Sequence, residues 1–100
     1  MPVTKEEILE YLTQKKQDFA SDFQVTKLGL FGSFASGEPT EDSDIDLLIE
    51  FAPDTEGLSE KKDKIKSILK SRFEREVDLC REKYIKPYFR TQILNSAIYV

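Results

Sequence analysis

The stretch Asp44-Ile-Asp-Leu-Leu-Ile-Glu-Phe51 decides the fold of this chain, because its apolar residues recur with a period of two. A strand with this pattern buries one face and exposes the other. The buried face comprises Ile45, Leu47, Ile49 and Phe51. The other face carries Asp44, Asp46, Leu48 and Glu50. A slip by one residue would bury the acids, so the register of the acidic face is fixed.

Helices and strands alternate on both sides of this strand. Thr4 and Glu7 form a capping box that opens a helix, and Pro87 is suited to the first turn of another. The order of elements, α-β-α-β-α-β-α, indicates an α/β layered fold. Around the central strand, the predicted elements are a helix from Thr4 to Phe19, a strand from Val25 to Phe31, a helix capped by Ser59, a strand from Glu76 to Arg81, and a helix beginning near Pro87 with Phe89, Ile93 and Leu94 on its apolar face.

Length and composition exclude several classes of protein. A chain of 100 residues without repeats or long linkers predicts a single domain over residues 1–100. The net charge of −4 argues against generic nucleic-acid binding, and the absence of histidine excludes imidazole bases and His-ligated zinc. The single Cys80 excludes an internal disulfide and favours a reducing cytosol, hence a cytoplasmic location. No apolar run approaches the roughly 20 residues of a membrane helix, so we expect no membrane partner.

Three acids predict a metal site. Asp44 and Asp46, two apart on the predicted strand, would project from one face about 6.5 Å apart along the backbone. Unpaired, they would repel each other, and Mg²⁺ prefers such hard oxygen ligands. Asp78 lies between Val77 and Leu79 in another strand, where we expect a buried carboxylate that needs a cation or a proton-transfer role. If the two strands are neighbours, the three carboxylates would form a site able to hold two ions.

A glycine and a serine precede the acidic strand at a characteristic distance. Gly32 and Ser33 follow a predicted strand and open a turn, and residues 34–43 separate them from Asp44. Glycine allows close approach of the backbone to a phosphate, backbone N–H groups at a helix start favour an anion, and Ser33 adds a hydroxyl. A phosphate cradle facing a metal-binding acid pair is what the transfer of a nucleotidyl group requires.

These stretches resemble the minimal nucleotidyltransferases of the DNA polymerase beta superfamily. The resemblance rests on Leu30-Phe-Gly-Ser-Phe-Ala-Ser-Gly37, Asp42-Ser-Asp-Ile-Asp-Leu-Leu48 and Glu76-Val-Asp-Leu79, and it extends over essentially the whole chain. It implies the nucleotidyltransferase fold, with a small mixed sheet of three to four strands flanked by helices. It further implies that Gly32 and Ser33 hold the triphosphate of ATP. Asp44, Asp46 and Asp78 would be both catalytic residues and ligands of two Mg²⁺ ions, with Asp78 able to accept the proton of the acceptor hydroxyl.

The resemblance also implies a biological partner. Members of this family commonly act as antitoxins beside a HEPN-domain ribonuclease toxin. They are implied to silence the toxin by transferring AMP from ATP to one of its tyrosines, and the pair would form a hetero-oligomer. One position departs from the family pattern: many relatives carry Arg where this chain has Ser36, and serine cannot replace the charge of a guanidinium on a phosphate.

Less specific interpretations compete with these. Asp44 alone could be a loop residue, and Asp46 alone could keep a sheet edge from pairing. The lysine-rich face of residues 61–70 is more typical of a solvated helix than of a basic patch. We interpret Glu50 as solvated and Cys80 as a small buried residue. Four aromatic residues are expected to pack in the core or at its rim, although exposed members could contact a partner: Tyr84, Tyr88, Phe89 and Tyr99.

Two alternatives to protein adenylylation remain open on the sequence alone. The chain could be a non-catalytic antitoxin that neutralises its partner by binding alone. It could also transfer a nucleotide to a small molecule, although 100 residues leave little chain for a separate substrate domain.

Overall fold

In the computed structural model, the chain forms a four-stranded mixed sheet flanked by helices, and the structure describes residues 3–37, 39–40 and 42–100. The sequence favours an exposed loop over a set of ligands for Glu38, Glu41 and Asp42; Glu38 and Glu41 lie outside the described residues, and Asp42 is exposed. The elements are α1 (Lys5–Phe23), β1 (Val25–Phe31), α2 (Gly32–Ser36), β2 (Ile45–Phe51), α3 (Leu58–Phe73), β3 (Val77–Cys80), a 3₁₀ turn (Glu82–Tyr84), α4 (Pro87–Ser96) and β4 (Ile98–Tyr99).

The strands are ordered β3-β2-β1-β4 across the sheet. β1 pairs antiparallel with β2 and with β4, whereas β2 and β3 run parallel, because helix α3 connects them as a crossover. The expected α/β fold with a mixed sheet of three to four strands is therefore confirmed. The short strand β4 was not predicted, since two residues carry no periodic signal.

One face of the sheet contributes to the hydrophobic core, and the other carries the acids. The core face is covered by α1 and α3, whose buried residues are Ile8, Leu12, Phe19, Ile65, Leu69 and Phe73. The predicted inward residues of β2 are all buried: Ile45, Leu47, Ile49 and Phe51. The alternation of strands then places Asp46 and Asp78 on the opposite face.

Several predicted boundaries differ from the structure. Helix α1 runs one turn beyond Phe19 to Phe23, where Gln24 adopts a left-handed conformation (φ 61°) and donates its N–H to the carbonyl of Ala20. Helix α3 begins after Gly57, which has a positive φ of 67° and acts as the N-cap, so the predicted cap Ser59 lies inside the helix. Strand β3 is shorter by one residue at each end than the predicted 76–81.

The C-terminal part of the chain is more exposed than predicted. Pro87 occupies the first turn of α4, as expected, but no residue of this helix is fully buried. Tyr84, Tyr88 and Phe89 are exposed by 68%, 88% and 47%, so none of them packs in the core, and of the interpretations given above an exposed position at the rim or against a partner remains. Within the described ranges, none of the helices combines the length and the apolar character needed to cross a membrane.

Candidate active site

The pairing of β2 with β3 brings the acids together. Asp46 and Asp78 are direct partners in the parallel ladder, so their α-carbons are about 4.8 Å apart. The N–H of Ile45 donates to the carbonyl of Glu76 at 2.9 Å, which fixes the start of β2 against β3. The condition that the two strands be neighbours is met. Asp44 differs from the expectation, because β2 begins at Ile45 and Asp44 immediately precedes it, exposed to solvent.

The three carboxylates interact electrostatically. The pKa of Asp46 is raised from 3.8 to about 6, first by partial burial and then by the negative charges of Asp78 and Asp44. Asp78 itself is exposed, so the expectation of a buried carboxylate was wrong. The carboxylate of Asp78 is therefore accessible to solvent at the edge of the sheet. A cation placed among these groups would relieve the repulsion that acts on Asp46.

Gly32 lies directly against Asp46. It follows Phe31, which is the ladder partner of Asp46, and has a φ of +76°, which L side chains rarely adopt. A Cβ on Gly32 would overlap Oδ2 of Asp46 and would lie 3.1 Å from its Cγ. Ser33 comes next, half-buried in the first turn of α2. The absence of a side chain at Gly32 thus lets the backbone at the start of α2 approach the acidic face.

The donor set fits magnesium without forming a finished cage. Among the side chains that the structure describes, no three acidic or cysteine groups converge closely enough to hold an ion as they stand. Mg²⁺ is usually held by one or two carboxylates together with waters and substrate phosphates, so it needs no such cage. The neighbouring carboxylates of Asp44 and Asp46 offer hard oxygen donors of the kind that such a site uses.

Arg75 positions the loop that leads to Asp44. Its Nη1 donates to the carbonyl of Ser43 at 2.9 Å and to that of Thr40 at 3.4 Å, and its guanidinium lies 5.2 Å from the ring centroid of Phe34. Sequence reasoning missed this residue, because a contact spanning 32 residues leaves no local pattern. Ser36 donates its hydroxyl to the carbonyl of Ser33 at 3.0 Å.

A cleft of about 390 Å³ opens between α3 and the outer edge of β3, beside Asp78. Apart from Asp78, its lining was not predicted from the sequence; the lining residues are Leu58, Ser59, Lys62, Asp63, Lys66, Asp78, Leu79, Arg81 and Tyr84.

Two residues near the cleft differ from their sequence interpretation. Glu50 is not simply solvated, because its Oε1 accepts a hydrogen bond of 2.9 Å from Nε of Arg81. Cys80 is half-buried rather than buried, and burial, then Asp78, raises the pKa of its thiol. A raised pKa lowers the reactivity of this thiol, because the thiolate is the reactive form.

Comparison with known proteins gives a consistent result. Residues 7–100 match the family model of the nucleotidyltransferase domain. The protein adenylyltransferase MntA of Thermococcus cleftensis is 33% identical, over 98% of this chain and 97% of that protein. A candidate protein adenylyltransferase of Methanocaldococcus jannaschii is 35% identical, over 97% of this chain and 98% of its own length.

Solved structures share the fold. A candidate minimal nucleotidyltransferase superposes with a TM-score of 0.74 at 28% identity, over 96% of this chain and 95% of that one. A chain of a toxin–antitoxin complex with AMP-PNP superposes with a TM-score of 0.64 at 18% identity, over 97% of this chain and 72% of that one. The second likeness concerns the fold alone. The family match covers nearly the whole chain and agrees with the resemblance seen in the sequence, and this chain belongs to the nucleotidyltransferase domain family.

Proposed function

We propose that this protein transfers AMP from ATP to a hydroxyl of a partner protein and thereby acts as an antitoxin. The observation that carries the proposal is the ladder pairing of Asp46 with Asp78, beside a glycine whose backbone lies directly against Asp46. Relatives of nearly the same length are named protein adenylyltransferases, and one structural neighbour is a toxin–antitoxin complex of MntA and its partner. The acceptor that we favour is a tyrosine of a HEPN-type ribonuclease toxin.

Different residues of the site bind the triphosphate, bind the metal and accept the proton in this reaction. The backbone at Gly32 and the hydroxyl of Ser33 hold the triphosphate, and Asp44 and Asp46 hold Mg²⁺. The ion supplies charge neutralisation of the triphosphate and of the leaving pyrophosphate. The acceptor oxygen forms a bond to the α-phosphorus, the bond from that phosphorus to the bridging oxygen breaks, and pyrophosphate leaves. Asp78, exposed at the sheet edge, takes the proton of the acceptor hydroxyl.

A protein acceptor is favoured by the surface of the C-terminal segment. Tyr84, Tyr88 and Phe89 expose aromatic rings there, and aromatic residues are enriched at protein interfaces. The last twenty residues contain four basic and one acidic residue, although the whole chain has a net charge of −4. Such a basic aromatic surface is suited to a protein partner that carries acidic groups. The free thiol of Cys80 is compatible with a cytoplasmic pair.

A transfer assay with the purified partner tests the proposal. With Mg²⁺ and labelled ATP, the wild-type protein should raise the mass of the partner by one or more AMP units. Asp78→Asn should abolish this transfer but still bind the partner, because Asp78 lies at an exposed edge and supports no packing. Asp42→Asn, which changes an exposed acid two residues before Asp44, is the matched control and should transfer normally.

The same assay separates the alternatives. If Asp78→Asn neutralises the partner as well as wild type does, and neither protein changes the mass of the partner, the protein acts by contact alone. If AMP is transferred to a small hydroxyl compound and not to the partner, the protein acceptor is wrong.

A further inference from the structure

The cleft between α3 and β3 offers a second binding surface beside the acids. Asp78 lies on its strand wall, and Lys62 and Lys66 lie one helical turn apart on its helix wall. Its volume of about 390 Å³ falls within the range of sites that bind small ligands or side chains. β3 is the outermost strand of the sheet, so a ligand can reach the cleft from solvent.

The two lysines of the helix wall are not held in ion pairs within the part of the chain that the structure describes, although Lys66 acts electrostatically on Glu76. Neither Lys62 nor Lys66 forms an ion pair with any of the residues that the structure describes. Other cations nearby are paired: Lys70 contacts Glu76 at 2.7 Å, and Arg81 contacts Glu50 at 2.9 Å. The ammonium groups of Lys62 and Lys66 are therefore available to an incoming anion.

Lys62 and Asp78 line the same cleft, Lys62 on the helix wall and Asp78 on the strand wall. Lys62 is also half-buried, so its charge is less screened by water than that of a fully exposed lysine. Asp63 lines the same cleft and adds one negative charge, so these three side chains of the helix wall carry a net charge of +1.

We infer that this cleft binds the acceptor and selects a peptide segment whose acceptor hydroxyl is accompanied by a carboxylate. This inference rests on the proposed function, because it is that function which brings the acceptor hydroxyl to Asp78. The hydroxyl lies beside Asp78 on the strand wall, and the neighbouring carboxylate binds Lys62 and Lys66 on the helix wall. The acceptor is thus recognised by its local charge as well as by its hydroxyl.

Binding of two synthetic peptides tests the inference without any transfer. In one peptide a tyrosine is flanked by glutamates, and in the other by glutamines. Amide shifts of the ¹⁵N-labelled protein should map the acidic peptide to residues 58–66 and 77–81, with a Kd about fivefold lower than that of the neutral peptide, as expected for two partly exposed ion pairs. The preference should disappear at high salt.

Variants of α3 provide the decisive comparison. Lys62→Gln together with Lys66→Gln should abolish the preference for the acidic peptide. Lys64→Gln should retain it, because this exposed lysine of the same helix does not line the cleft. The inference is overturned if wild type binds both peptides equally. It is also overturned if Lys64→Gln loses as much of the preference for the acidic peptide as the double variant does.

The nucleotide provides the remaining arm of the test. Mg-ATP should bind wild type and the double variant equally and should not displace the acidic peptide. If it competes with the peptide and its affinity falls in the double variant, the cleft holds the nucleotide and the inference is wrong. Failure of AMP transfer to every acceptor would contradict the proposed function. It would not change the result of the peptide-binding experiment, which tests the inference separately.

Discussion

Gly32 and Asp46 lie so close together that no side chain fits between them. The positive φ of Gly32 and the overlap that an added methyl group would have with Oδ2 of Asp46 are independent obstacles to substitution. The turn that would hold the triphosphate and the strand that would hold the metal thus meet at a single glycine.

Gly32→Ala should therefore abolish nucleotide transfer. A left-handed φ costs an alanine about 1–2 kcal/mol, and the added methyl group must also displace the carboxylate of Asp46. Gly37→Ala is the matched control, because Gly37 has a φ of +86° but no atom within 4 Å of an added Cβ. The melting temperature should fall for both variants, whereas transfer of labelled AMP should fail for Gly32→Ala alone. Equal activities of the two variants would contradict a functional role for the close approach of Gly32 to Asp46.

Asp46 should lower the stability of the metal-free protein at neutral pH. Its pKa is about 6 in the folded protein and 3.8 ordinarily, so the folded state holds the proton more tightly. The stability that the tighter proton binding of Asp46 contributes is fully present below about pH 4 and is lost as the pH rises through 6. In EDTA at pH 7.5, the free energy of unfolding of Asp46→Asn should thus exceed that of wild type by about 1 kcal/mol, a value reduced for solvent screening of a half-exposed group.

The pH dependence of unfolding checks this prediction. Between pH 4 and pH 7 in EDTA, the melting temperature of wild type should fall relative to that of Asp46→Asn. Asp22→Asn, at an exposed position of α1, should follow wild type. Parallel curves for all three proteins would show that neither burial nor the neighbouring carboxylates raise the pKa of Asp46.

Magnesium should stabilise the folded protein through the acid pair. At a concentration ten times its Kd, a ligand of the folded state adds about 1.4 kcal/mol, or roughly 6–11 °C in the melting temperature of a domain of this size. The variant with Asp44→Asn and Asp46→Asn should show little of this increase. Differential scanning calorimetry with and without Mg²⁺ measures it, and equal increases in wild type and the double variant would disprove the site.

Ser33→Ala should weaken the binding of ATP about tenfold, because a hydrogen bond to a charged phosphate contributes about 1.5 kcal/mol. Ser36→Ala is the control within the same short helix, since its hydroxyl already donates to the carbonyl of Ser33. Titration calorimetry gives both affinities. If Ser33→Ala binds ATP like wild type, the Gly32–Ser33 element is an ordinary turn.

Tyr99 should stabilise the last strand through Glu82. Its hydroxyl donates to Oε1 of Glu82 at 2.7 Å, and Lys27 contacts the same oxygen at 2.8 Å. Burial, followed by the bond to Glu82, raises the pKa of Tyr99 from 10 to about 12. The contribution of the phenol is present below pH 10 and is lost as the pH rises through 12.

Tyr99→Phe should consequently lower the free energy of unfolding by about 1 kcal/mol at neutral pH. It should also flatten the loss of stability between pH 10 and pH 12, which is the sign of the raised pKa. Tyr88→Phe, at a position with 88% exposure, should change neither quantity. Urea unfolding over this pH range distinguishes the two variants.

The sequence predicted the central strand and its neighbours because their patterns are local. The period of two over residues 45–51 set both the core face and the acidic face, and the structure buries the four predicted core residues. The sequence placed Asp78 near Asp46 only on the condition that their strands are neighbours. No local pattern determines the order of strands, and the structure shows the two residues as partners in the β2–β3 ladder.

The errors also have physical causes. Ser59 was expected to cap α3, but the left-handed backbone of Gly57 ends the preceding loop instead. Phe89 and Ile93 have the spacing of a packed helix face, yet no residue of α4 is fully buried. Arg75 and the lysines of the cleft depend on contacts between distant elements, and periodicity carries no information about these.

The parallel pairing of β2 with β3 sets the order in which the site can be assembled during folding. β1 and β2 are antiparallel neighbours joined by 13 residues, whereas β3 reaches β2 only after the 25-residue connection that contains α3. Because closing the longer loop costs more entropy, we expect the β1–β2 pair to form first. A growing chain would thus carry the glycine turn and the first two acids before it could place the third. In pulsed hydrogen exchange, the amides of residues 45–51 facing β1 should be protected before those of residues 77–80.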